Sequence, residues 1–284
     1  MSAPSEPRDR PSRGHGDLTR PAQEPGAEPT SLVPDHRLRP LTTAETARYA
    51  RHLALPQVGE AGQRRIRAAR VLVVGLGGLG SPVALYLAAA GVGTVGLADF
   101  DTVDESNLQR QVVHGTADTG RAKVDSAADR LAALDPGVQV VRHPAGLTSD
   151  DATPVVAAYD VVVDCTDSFE ARYLINDTCL ALRTPWVHGS VWQLHGQVAV
   201  FTGSGPCYRC LHPGPPDQAP ATGVLGVLPG IVGTVQAAEA LKLVLGGPTL
   251  VGRLLLVDAW AMRFDAVTLA RDPACPACGP RDLP

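Results

Sequence analysis

Lysine is nearly absent from this chain of 284 residues: Lys123 and Lys242 are the only two among 25 lysines and arginines. Nor is there an excess of positive charge, since 29 Asp and Glu leave a formal net charge of −4. That balance excludes a general nucleic-acid or membrane-surface binder, which needs a basic face. Glycine (29) and proline (25) are frequent, but no triplet period runs through them, which excludes a collagen-like fibre. No internal repeat is evident. The first 40 residues carry no aromatic residue and no apolar run, so a secretory h-region is missing. Eight prolines and twelve charges in that stretch predict a disordered tail over 1–40 and a folded domain over 41–284. The six cysteines do not crowd as in a small secreted scaffold, and four fall into two C-x-x-C pairs, which points to metal or redox use.

Charge is also absent from Val71 through Ala98, a length sufficient for a bilayer span. Seven glycines and Pro82 divide that stretch, so it reads as a buried strand, glycine turn, helix and second strand, with no membrane segment. Upstream, Thr42-x-x-Glu45 is a capping-box pattern opening a helix through Thr46–His52, and another helix is expected over Glu60–Ala69. Strands are expected at Val71–Val74, Thr94–Ala98, Val138–His143, Val161–Cys165 and Trp186–Ser190, separated by helices at Leu79–Ala90, Gly120–Leu134, Thr148–Ala158 and Phe169–Leu182. Such alternation with apolar strands predicts an α/β fold: a Rossmann-like, mostly parallel sheet with helices on both faces. Gly196–Phe201, Arg253–Val257 and Arg263–Leu269 read as closing antiparallel strands, with a helix over Gly230–Leu245 between them.

Four clusters carry chemistry. Gly75-Leu-Gly77-Gly78-Leu-Gly80 follows a strand and opens a helix, where glycines admit a phosphate or ribose close to the backbone and a helix N-terminus supplies N–H donors. Tight helix–strand packing alone would also use such a turn. Asp99 ends the second strand, the place of a ribose-binding acid. Asp101, Asn107, Arg110 and Lys123 follow within 25 residues. A nicotinamide dinucleotide needs few cations, whereas a triphosphate needs several, which disfavours an NAD-dependent oxidoreductase. Lys123 suits a point charge on phosphate, though a lysine on an exposed helix face is the commoner case. Asp167, just beyond the Val161–Cys165 strand, is placed either to hold Mg²⁺ on phosphates or to cap the helix that begins at Phe169. Cys207, Cys210, Cys275 and Cys278 supply four thiolates for a structural Zn²⁺ that pins the C-terminus to the middle of the chain. A redox pair or a disulfide is the alternative. Cys165 and Cys179 sit in apolar patterns and read as inert packing.

Beyond these, Arg48-Tyr-Ala-Arg51-His, the extended Gly75-Leu-Gly-Gly-Leu-Gly-Ser-Pro82 loop, Ser106-Asn-Leu-Gln-Arg-Gln111, Gly120-x-x-Lys123, Cys165-Thr-Asp167, Arg172-Tyr-Leu-Ile-Asn-Asp177 and Gly223-Val-Leu-Gly226 occur in order. The series resembles the ThiF/MoeB/HesA adenylyltransferases, bacterial relatives of ubiquitin-activating enzymes, from about Thr42 to Gly279. The resemblance implies ATP-dependent adenylation of the C-terminal glycine carboxylate of a ubiquitin-fold sulfur carrier in the cytoplasm. Asp99 would bind ribose, with Gly78 in the nucleotide loop beneath it. Asn107, Arg110 and Lys123 would surround the phosphates, Asp167 would hold Mg²⁺, and Arg51 would reach the site of a partner subunit in a homodimer. Many relatives carry a cysteine in the proline-rich loop before Gly223; here Pro213–Thr222 has none. Activation is therefore expected to stop at the adenylate, and sulfur to come from a separate donor, since six residues after Cys278 leave no room for a sulfurtransferase domain. Adenylation of a peptide, a tRNA nucleoside or a biosynthetic intermediate, and a non-catalytic scaffold that only binds carrier, are the competing readings.

Overall fold

A computed structural model describes residues 32–215 and 223–279. The proline-rich loop therefore falls partly, and the expected tail mostly, outside the described residues. The end of that tail, residues 32–40, packs on the body: Val33 is wholly buried, and Arg37 pairs with Asp160 at 2.5 Å.

Eight strands form one sheet: β1 (Arg70–Val74), β2 (Thr94–Ala98), β3 (Gln139–His143), β4 (Val161–Asp164), β5 (Trp186–Trp192), β6 (His195–Phe201), β7 (Arg253–Asp258) and β8 (Arg263–Thr268). Their order is β3-β2-β1-β4-β5-β6-β7-β8. The first five are parallel and the last three join antiparallel. The charge-free stretch makes β1, the glycine turn, helix α4 (Gly80–Ala89) and β2, as expected. Apolar side chains point both ways along the central strands β1, β2 and β4 because both faces are covered there. Val71, Val73, Val161 and Val163 enter one core; Leu72, Val74 and Val162 enter the other. Helices α4, α5 (Lys123–Leu134) and α9 (Val227–Leu245) cover the first face, and α6 (Ala152–Val156), α7 (Phe169–Leu182) and α8 (Tyr208–Leu211) the second. Helix α9 is long and apolar enough to cross a membrane, but it lies against α4, β5 and β6, with half its apolar window buried.

At the N-terminal side, α1 (Thr43–Arg48) starts in the expected capping box: Glu45 N–H donates to Thr42 Oγ1 at 3.2 Å, and Thr42 N–H to Glu45 Oε2 at 2.8 Å. Short α2 (Ala50–Leu53) and α3 (Gly59–Ala68) complete this edge. Three helix starts differ from expectation by three residues or more. Helix α5 begins at Lys123 because Gly120 holds a φ of 85°, outside helical space. Helix α6 begins at Ala152, since an earlier start would put Pro154 in a helix interior. Helix α9 begins at Val227, three residues early, because Pro229 is tolerated in a first turn.

Candidate functional site

The strand order reverses between β1 and β4, and the loops leaving their C-terminal ends diverge there to open a crevice. A cavity of about 360 Å³ occupies it. Gly75, Gly77, Gly78, Asp99, Asp101, Asn107, Arg110, Lys123 and Asp167 all line it. Every site residue expected from the sequence is thus gathered except the distant cysteines and Arg51, which lies exposed on α2 and outside the lining.

The glycine turn is tight for steric reasons. Gly75 has a φ of 90°, and a Cβ there would lie 2.7 Å from the Cys165 carbonyl oxygen. A Cβ on Gly80 would lie 1.9 Å from the Gly75 carbonyl oxygen. The backbone that these absences allow is fixed from two sides: Leu76 N–H donates to Asp99 Oδ2 at 2.6 Å, and the Leu76 carbonyl faces His114 Nε2 at 3.1 Å. Burial pushes the His114 pKa down, against the bond to Leu76, so the ring stays neutral and Nε2–H is free to donate. Asp99 also accepts from Asp101 N–H at 2.8 Å. Its two carboxyl oxygens keep lone pairs for hydroxyl donors beyond these two bonds.

Lys123 is not on an exposed helix face. Its side chain is 7% exposed and its ammonium donates to Asp101 Oδ2 at 2.8 Å at the cavity wall. Asn107 Oδ1 accepts from Arg110 Nη2 (3.0 Å) and from Gln111 Nε2 (2.9 Å), which aims the Arg110 guanidinium. Gln111 is buried with Oε1 unpartnered. The cap of α7 is Ser168, whose hydroxyl accepts from Ala171 N–H at 3.2 Å. Asp167 is thereby released from capping: it is exposed, lines the cavity, and has no hydrogen bond or ion pair among the described residues. A hard carboxylate oxygen with no protein partner suits Mg²⁺, which keeps most of its waters and takes one or two carboxylates.

The four distant cysteines converge on the far side of the second core. Their sulfurs lie within 4.8 Å of one another, with Cys207–Cys275 at 3.6 Å and Cys210–Cys278 at 3.3 Å. None is disulfide-bonded. Tetrahedral sulfurs about 2.3 Å from zinc are separated by comparable edges, so the donor set fits. Burial opposes ionisation of Cys275, but N–H groups of Cys278 and Ala277 outweigh it and bring its pKa to about 7. Cys165 and Cys179 are buried, and burial raises both thiols well above their ordinary value.

Residues that carried no role in the sequence also line the cavity. Arg172, 8% exposed, donates from Nη2 to the Thr166 carbonyl at 2.9 Å. Its place one turn from Ile175 and Asn176, on the buried face of α7, was the available signal. Val191, Val224 and Pro229 form an apolar wall, which no spacing rule predicts.

A switch-point cavity with a glycine turn, a buried acid and convergent cations is the arrangement of a nucleotide-binding α/β protein. More particularly, the chain belongs to the ThiF family, whose pattern matches residues 49–277. A Thermus thermophilus protein named sulfur carrier protein adenylyltransferase is 49% identical over 250 residues, 84% of this chain and 92% of that one. The probable adenylyltransferase/sulfurtransferase MoeZ of Mycobacterium tuberculosis is 47% identical over 247 residues, or 83% of this chain. This chain spans 63% of the length of MoeZ. Among solved structures, E. coli MccB with MccA-N7isoASN aligns with a TM-score of 0.74 at 20% identity, over 87% of this chain and 77% of that one. At that identity the likeness is one of fold.

Proposed function

We propose that this chain adenylates the C-terminal glycine carboxylate of a small ubiquitin-fold sulfur carrier, consuming ATP and releasing pyrophosphate. The observation that carries the reading is the convergence of Asp99, Asn107, Arg110, Lys123 and Asp167 on one switch-point cavity, together with the activity in the name of the Thermus thermophilus relative. In the proposed reaction a carrier carboxylate oxygen attacks the α-phosphorus of ATP, and the bond to the β-phosphate oxygen breaks. No general base is needed, because the nucleophile is already ionised at neutral pH. Repulsion between anions is the obstacle, and Arg110 and Lys123 lower it where charge builds on the departing pyrophosphate. Mg²⁺ held by Asp167 would supply further neutralisation of the triphosphate. Asp99 would orient the ribose, and Gly75, Gly77 and Gly78 would admit the nucleotide to the backbone. Asp101 holds Lys123 against the wall until phosphate takes its place.

Zn²⁺ at the four cysteines would be structural: with all four positions taken by thiolates, none is open to substrate. Arg51 would complete the site of a second copy, which makes the working unit a homodimer. With no accessible thiol outside the zinc set among the described residues, the product leaves as the acyl-adenylate, and a separate donor supplies sulfur. ATP use and unpaired cysteines support a cytoplasmic setting. Incubation with ATP, Mg²⁺ and a carrier ending in Gly-Gly tests the reading: intact-mass analysis should find carrier-AMP. A carrier–enzyme conjugate that thiol reductant releases would overturn the non-covalent route.

A further inference from the structure

Beneath the cavity floor lies a buried acid–imidazole pair that the proposed reaction does not yet use. Asp164 ends β4, and His188 is its register partner on β5. Both are wholly buried. His188 Nδ1–H donates to Asp164 Oδ2 at 2.8 Å. The other carboxylate oxygen accepts from the Thr166 hydroxyl at 2.7 Å and from the Thr166 N–H at 3.0 Å. Arg172 then takes the Thr166 carbonyl. All three polar groups of Thr166 are therefore fixed, and the next residue is Asp167, whose carboxylate faces the cavity without a protein partner.

His188 is held as firmly as it holds. Its ring packs 4.9 Å from Tyr208, which is wholly buried between Cys207 and Cys210, and 6.0 Å from Trp186. Gln197 Nε2 donates to its Nε2 at 3.4 Å, which leaves the proton on Nδ1. Burial pushes the imidazole pKa down despite Asp164, so the ring is neutral. For Asp164 burial opposes ionisation, but the hydrogen bonds from His188 and Thr166 and the charge of Arg172 outweigh it, so the carboxylate stays ionised. A buried anion with three donors is a rigid anchor, and one robbed of a donor must move or take up a proton.

We infer that His188 is a positioning residue: through Asp164 it fixes the Thr166–Asp167 turn, and so sets where the Asp167 carboxylate meets the cation that accompanies the nucleotide. The inference deepens the nucleotide reading above and rests on it. Partners one step removed from a metal ligand change metal affinity by about 10- to 100-fold when lost. Its test is the Mg²⁺ concentration that half-saturates ATP binding to the full chain, read alongside thermal unfolding. His188→Phe keeps the ring volume and removes the donor; the half-saturating Mg²⁺ should rise by about 10-fold or more. His188→Asn offers an amide N–H where Nδ1 stood and should restore most of that loss. Thr166→Val removes one bond to Asp164 Oδ1, and should shift the requirement the same way by a smaller factor. It decides the matter if His188→Phe fails to fold. A folded His188→Phe or Thr166→Val with the wild-type Mg²⁺ requirement overturns the inference, as does an Asn variant no better than Phe. Wild-type chain that binds ATP without regard to Mg²⁺, or not at all, overturns the nucleotide reading and the inference together.

Discussion

Lys123 and Asp101 meet at 2.8 Å with the ammonium almost fully buried and the carboxylate half in solvent. In the proposed reaction such an amine exchanges one anion for another when phosphate enters. Lys123→Ala is expected to lower carrier-dependent turnover by about 10²- to 10³-fold, the usual loss for one oriented charge-stabilising donor. Thermal unfolding should remain close to wild type. Asp101→Asn leaves the amine in place but unanchored, so steady-state kinetics should show a larger change in KM for ATP than in kcat. Gly75→Ala tests the turn itself. A methyl group 2.7 Å from the Cys165 carbonyl oxygen, at a φ of 90°, should cost about 1–3 kcal/mol in denaturant unfolding. At this scale the sequence was most informative where chemistry made a residue rare or local geometry made it necessary: a lysine in an arginine chain, glycines between strand and helix. His188 and His114 escaped notice because their meaning lies in partners 24 and 38 residues away, Asp164 and Leu76.

Among the elements, the N-terminal helices depend on one acid. Glu45 closes the capping box, pairs with Arg39 at 2.5 Å and meets Arg67 at 2.9 Å. The Arg39 hydrogen bond leads in holding its pKa near 2 against an ordinary 4.5, with burial opposing. A carboxyl depressed on folding stabilises the fold above its unfolded pKa, and the gain disappears as pH falls through the folded value. Wild type should therefore melt above Glu45→Gln at pH 7, and the gap should narrow between pH 4.5 and 2 in a paired thermal-melt series. The elements at the other end depend on the cysteines. Helix α8 follows Cys207 and contains Cys210, and metal there would tie it to the segment after β8. Chelation with a strong zinc ligand should lower the melting temperature and speed amide exchange over 207–211 and 272–279, with less effect on β1 and β4. Element type was legible from strand length and apolar runs. Helix starts were less so, because Pro154, Pro229 and Gly120 act through clashes and a positive φ that a periodicity count does not weigh.

For the whole molecule, the sheet order explains why one cavity collects residues spread from 74 to 229. β1 and β4 are neighbours although 86 residues lie between Val74, the end of β1, and Val161, the start of β4. Their loops meet only because the chain reverses direction across the sheet there. Alternating strand and helix patterns foretold the parallel sheet, and the ordered motifs foretold the cavity contents. The apolar wall of Val191, Val224 and Pro229 was not legible, since it joins a strand end, a loop and a helix start that only the folded chain brings together. Arg51 is the one expected nucleotide residue that this single chain leaves outside the cavity. If it serves a partner's site, Arg51→Ala and Lys123→Ala chains, each inactive alone, should recover about a quarter of wild-type activity when mixed and reassociated, because half of the dimers then hold one intact site. ATP–pyrophosphate exchange addresses the central claim most directly. With Mg²⁺ and a ubiquitin-fold carrier ending in Gly-Gly, the chain should exchange labelled pyrophosphate into ATP, and exchange should vanish when the carrier is omitted or loses its final glycine. Exchange that proceeds equally without carrier, or no exchange with any such carrier, would contradict the account.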